Sequence, residues 1–160
     1  MLAGDGPRRS SLVAQSHALE LQDVTLFLGQ ISHETVPGML AASDIVAMPS
    51  LAEGMSLTLL EAMVCGRPVV ASNIPAIASV IEDGVTGRLV PVAQPAALAR
   101  TFVALLSHRE LATEIGARAR DHALARYDQH TMIANYERVF MRAARSQALV
   151  SPGTPEASQL

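Results

Sequence analysis

Two glutamates, Glu53 and Glu61, stand with seven residues between them in the stretch Pro49–Gly66, PSLAEGMSLTLLEAMVCG. Carboxylates so placed can accept hydrogen bonds from ligand hydroxyls or carry protons in catalysis. Between them lie Gly54, Met55, Ser56 and Leu57, where a helix would begin with Ser56 as a candidate N-cap. The first backbone N–H groups of a helix have no intrahelical acceptor, and they line up with the positive end of its dipole. Such donors form an anion site, and the anion they suit best is a phosphate.

The flanking residues supply what that helix needs. Ahead of it is a short apolar run, Ile45–Met48, broken by Pro49; behind it Gly66 and Pro68 stop the helix. The layout is strand, loop, helix, stop, and the loop after a parallel strand is where open α/β sheets bind ligands. Glu61 falls on the helix body among apolar neighbours, LTLLEAMVC. A carboxylate buried there without a partner would cost several kcal/mol or shift its pKa. Either it lies on the wet side of an amphipathic helix or it meets a ligand at the mouth of the phosphate site, and the pattern leaves both open.

EGMSLTLLE resembles the E-x7-E motif of family 4 glycosyltransferases, retaining enzymes of the GT-B fold. Its neighbours resemble the same family in order: GDGP at Gly4–Pro7, VTLFLGQIS at Val24–Ser32, SDIVAMPS at Ser43–Ser50, EAMVCGRPVVAS at Glu61–Ser72 and IEDGVTGRLVP at Ile81–Pro91. The resemblance covers most of residues 1–146 and implies an α/β fold: a Rossmann-like parallel sheet with flanking helices, the C-terminal, nucleotide-sugar-binding lobe of a GT-B enzyme, truncated at its N-terminus.

By resemblance, Glu53 contacts the donor sugar, Glu61 binds the ribose hydroxyls, and the backbone of Met55–Leu57 cradles the diphosphate of a nucleoside diphosphate sugar. The backbone of Gln30 and Ile31 would contact the base, although an ordinary strand-to-helix turn accounts for FLGQI equally well. The implied reaction transfers a sugar to an acceptor hydroxyl with retention and needs neither metal nor cofactor. This chain departs from the family at Ser56, where many relatives carry glycine, and at Ser79, where many carry glutamate. The resemblance also puts the family's diphosphate-gripping Arg and Lys, and the whole acceptor lobe, upstream of Met1. The isolated chain is therefore expected to bind donor weakly and to catalyse poorly or not at all. Two alternatives remain: a non-catalytic nucleotide-sugar-binding or interaction module, and a GT-B nucleotide-sugar epimerase.

Composition narrows the partners. The chain has 160 residues, 49% of them hydrophobic and 17% charged, with a net charge of −3. That is one domain with a real core and no basic footprint for nucleic acid. A single cysteine, Cys65, excludes an intrachain disulfide and reads as a small packing residue near the helix end. Neither a bilayer-spanning apolar run nor a signal-peptide pattern is present, so the domain is expected to be soluble and cytoplasmic. Weak attachment at a membrane face stays open, because many enzymes that the chain resembles glycosylate lipids. The five histidines, at 17, 33, 108, 122 and 130, have no metal-ligand spacing and read as structural. Arg67 reads as a solvated turn residue.

The remaining elements follow in order. Met1–Ala3 is the end of a strand, and Pro7 opens a helix from about Arg8 to Glu20. Val24–Leu28 reads as a fully buried strand. A helix from Ser32 to about Ala42 is broken or delayed by Pro37-Gly38, Pro68–Ala71 is a strand, and Ala76–Glu82 is a short helix ahead of a strand at Arg88–Val90. Strands alternating with helices predict a parallel sheet covered on both faces. From Pro95 three consecutive stretches repeat apolar residues with helical spacing and should pack as a layer at one sheet edge. Residues 147–160 read as an unstructured tail.

Overall fold

The computed structural model describes residues 1–148, with side chains through 145. It contains β1 (Leu2–Ala3), α1 (Arg9–Ala18), β2 (Phe27–Gly29), α2 (Val36–Ala41), β3 (Val46–Met48), α3 (Leu57–Val64), β4 (Val69–Ser72), α4 (Pro75–Ala78), β5 (Arg88–Val90), α5 (Pro95–Ser107), α6 (Arg109–Arg126) and α7 (Gln129–Ala148). All strand pairings are parallel: β1 with β2, and β4 between β3 and β5.

β4 is buried along its whole length, as a continuous VVAS run in a central parallel strand requires. Its side chains alternate between two apolar clusters. Val69 and Ala71 face Leu59, Ala62 and Met63 of α3, with Leu40 of α2 and Ala119 and Ala123 of α6. Val70 faces Val90 of β5, Leu105 of α5 and Ile115 of α6. The site helix α3 is thereby held between the sheet and α6.

The end of α3 is fixed by local chemistry. Gly66 has φ +67°, a left-handed conformation that glycine adopts without a Cβ penalty. Its N–H donates to the carbonyl of Met63, and the Arg67 N–H donates to that of Ala62, which together make a Schellman motif. α6 reaches this turn through Gly116: a Cβ built there would stand 2.2 Å from the Gly66 carbonyl oxygen. Cys65 closes the helix, half-buried against the core, with its Sγ 3.9 Å from the Pro37 carbonyl.

Several expectations need correction. The strands form two separate ladders among the described residues, not one continuous sheet. Val24–Leu28 is not a buried strand: only Phe27–Gly29 pairs, Val24 is 78% exposed, and Leu26 is exposed too. Phe27–Gly29 is half-buried while Val24 and Leu26 ahead of it are open, so packing supports only part of the segment's β-forming composition. Pro7 lies in a turn ahead of α1 rather than at its first position. Pro37 occupies the first turn of α2, whose start is accordingly delayed to Val36. α5 packs on β4 and β5, and α6 packs on α5 and α3. α7 does not join that layer, and Met132, Ile133, Tyr136, Val139, Phe140 and Met141 along it are exposed. α7 extends to Ala148, into the stretch read as a tail, and the rest of that stretch lies outside the described residues.

Candidate functional site

The loop from Pro49 to Ser56 leaves the carboxyl end of β3 and turns into α3. Ser56 takes an extended conformation (φ −82°, ψ 110°), and its Oγ accepts from the Leu59 N–H at 3.4 Å. The Ser56 hydroxyl is thus a helix cap. Among the described residues, the N–H groups of Met55, Ser56, Leu57 and Thr58 have no acceptor within the chain. They face solvent on a surface where Glu53, Gly54, Met55 and Leu57 are all exposed. The start of α3 is therefore an open, donor-rich platform.

The two glutamates are held differently. Glu53 is exposed in the loop, where its Oε1 accepts a 2.7 Å hydrogen bond from the Ser50 hydroxyl. Glu61 projects from α3 with its side chain 27% exposed, and its Oε1 lies 3.8 Å from His33 Nδ1. It is neither buried alone nor freely solvated, an outcome between the two readings of the sequence. His33 belongs to the turn that follows β2, which also carries exposed Gln30 and half-buried Ile31. The fold thus brings the Gln30–His33 turn to the flank of α3, alongside Glu61.

Ser50 and His33 had no weight in the sequence. Ser50 stands three residues ahead of Glu53, a spacing that suits a loop hydrogen bond, whereas nothing local to His33 points to Glu61. Arg67 also differs from expectation: it is half-buried, and its Nε is buried with no hydrogen-bond partner among the described residues. It lines a small cavity of about 160 Å³ with Asp44, Ile45, Arg109 and Thr113, at the strands' amino ends and away from the start of α3. The IEDGVTGRLVP motif is structural. Asp83 Oδ1 accepts from the Leu89 N–H (2.9 Å) and Arg88 Nε (3.0 Å), and buried Thr86 accepts from the Glu82 N–H (2.9 Å). Ser79 closes α4 by donating to the Ala76 carbonyl. Among the described residues no group of three histidine, cysteine or carboxylate side chains is placed to hold a metal ion, and no helix is long and apolar enough to cross a membrane.

Residues 1–122 match the family model of glycosyl transferases, group 1. The chain belongs to that family. It is 32% identical over 145 residues to the N-acetyl-alpha-D-glucosaminyl L-malate synthase of Bacillus anthracis, a match covering 91% of this chain and 38% of that protein. Among solved structures it is similar to Anabaena HepE in complex with UDP and glucose, with a TM-score of 0.79 and 28% identity over 89% of this chain and 40% of that one. It is also similar to the C-terminal domain of a group 1 glycosyl transferase from Francisella tularensis, with a TM-score of 0.71 and 27% identity over 78% of this chain and 66% of that domain. The α/β arrangement of parallel strands and flanking helices is that of the GT-B glycosyltransferases. The chain spans well under half the length of the full-length relative, 38%.

Proposed function

We propose that this chain is the donor-binding lobe of a retaining glycosyltransferase that moves a sugar from a nucleoside diphosphate sugar to an acceptor hydroxyl. The observation that carries this reading is the start of α3, where four consecutive N–H groups stand between Glu53 and Glu61 without acceptors among the described residues. The diphosphate is the leaving group, so donors aimed at it stabilise charge that grows as the glycosidic bond breaks. Those amides are fixed by the Ser56 cap and by the packing of α3, so little reorganisation accompanies the reaction. Glu53, steadied by Ser50, would face the sugar. Glu61 would accept from the ribose hydroxyls, and the backbone of Gln30 and Ile31 would meet the base. That Anabaena HepE was solved with UDP and glucose supports a nucleotide sugar as the ligand class. An acceptor lobe would supply the opposite wall of the cleft.

The test is steady-state kinetics on an enzyme carrying this lobe together with an acceptor lobe. Glu53→Gln is expected to lower kcat. Glu61→Ala is expected chiefly to raise KM for the donor, by roughly 10- to 150-fold, as loss of a charged hydrogen bond of about 1.5 to 3 kcal/mol implies. Negligible effects of both would contradict the assignment.

A further inference from the structure

We propose that His33 is a positioning residue for Glu61: it holds one carboxylate oxygen so that the other is presented to a ribose hydroxyl. The inference rests on the nucleotide-sugar reading above and adds to it a residue that the chain's motifs do not mark. His33 Nδ1 lies 3.8 Å from Glu61 Oε1, and no other side chain of the described residues pairs with that carboxylate. The imidazole is anchored at its backbone. The Ser32 and Thr35 hydroxyls bond each other at 2.8 Å, the Thr35 N–H donates to the Ser32 carbonyl, and the Val36 N–H donates to that of His33. The following helix, α2, packs on α3 through Val36 and Leu40 against the cluster of Leu59, Ala62 and Met63. Loop and carboxylate are therefore parts of one packed unit. With Nδ1 carrying its proton, the ring donates toward Oε1. A contact of 3.8 Å exceeds a hydrogen bond, and catalytic-site contacts of this kind shorten when ligand excludes water. Because the His33 side chain is 84% exposed, solvent screens the pair and its effect is small, about three-fold in affinity.

The test is titration of the ¹⁵N-labelled full chain, followed through backbone amide shifts so that weak binding is measured, with UDP and with 2′,3′-dideoxy-UDP, for the wild type, His33→Ala, His33→Gln, Glu61→Ala and the double alanine variant. The wild type is expected to prefer UDP, and Glu61→Ala to erase the preference. His33→Ala should weaken UDP about three-fold while leaving the dideoxy ligand unchanged, His33→Gln should restore part of the loss, and the double variant should match Glu61→Ala. If Glu61→Ala erases the preference while His33→Ala leaves it intact, the positioning role is overturned and the nucleotide reading survives. His33→Ala weakening both ligands equally, or acting again in the Glu61→Ala background, likewise overturns it. A wild type that neither binds UDP nor distinguishes the two ligands, or a Glu61→Ala variant indistinguishable from it, overturns the nucleotide reading and this inference with it. Exposure of His33 leaves the fold intact in both of its variants, which thermal melts verify.

Discussion

Gly116→Ala tests how the site helix is held from behind. In an exposed helix this substitution stabilises by about 0.8–1.0 kcal/mol, because alanine is the better helix former. Here the new Cβ would lie 2.2 Å from the Gly66 carbonyl oxygen and 2.9 Å from its carbon, both backbone atoms. Relief requires the α6 backbone or the Gly66 turn to move by about an ångström, since ordinary Cβ contacts lie beyond about 3.4 Å. Gly66 already occupies the left-handed region and closes a Schellman motif, so the turn cannot yield without loss of its hydrogen bonds. Overpacking of this kind costs about 1–3 kcal/mol and occasionally more. Offset by the propensity gain, the net loss is about 0–2 kcal/mol, which lowers Tm by up to roughly 8 °C for a domain of this size. Gly38→Ala in α2 is the control, because its Cβ would meet nothing within 4 Å; it should be neutral or stabilising by up to about 1 kcal/mol. Differential scanning calorimetry of both variants decides it. Equal stabilisation by the two substitutions would refute the close approach of α6 to the end of α3.

Two further outcomes follow from single hydrogen bonds. Thr86→Val keeps the shape of a residue that is 3% exposed but leaves the Glu82 N–H without its acceptor. It should cost about 1–3 kcal/mol, read as a lower urea midpoint at unchanged slope, with Thr86→Ser retaining most of the stability. Ser50→Ala removes the 2.7 Å bond to Glu53. In a two-lobed enzyme it should lower kcat by roughly two- to ten-fold, less than Glu53→Gln does, and a larger effect than Glu53→Gln would contradict the steadying role given to Ser50.

The parts of the fold that could be read from sequence were those whose determinants are local. Ser56 and Gly66 bracket α3 because a cap and a left-handed terminator act within one turn of chain. The strand at Arg88–Val90 was legible because Asp83, Gly84, Thr86 and Gly87 punctuate the turn before it. Where tertiary support decides, the pattern fell short. VTLFL has the composition of a buried strand, but burial depends on what covers it, and Val24 lies open. The apolar spacing of α7 identifies a helix, yet periodicity cannot say that a partner is present, and the helix stays outside the core. Within the candidate site, the Glu53–Glu61 spacing and the helix start could be read directly. The approach of His33 to Glu61, and the buried Nε of Arg67, arise from contacts distant in sequence and have no local signature.

The central claim is that the start of α3 receives a diphosphate. Titration of the ¹⁵N-labelled chain with UDP, followed through backbone amide shifts, tests it most directly. The expected result is saturable shifts largest at Met55, Ser56, Leu57 and Thr58, with smaller ones at Gln30 and Ile31. Saturable shifts centred elsewhere, for example around Arg67 and Arg109, with the α3 amides unmoved, would contradict it.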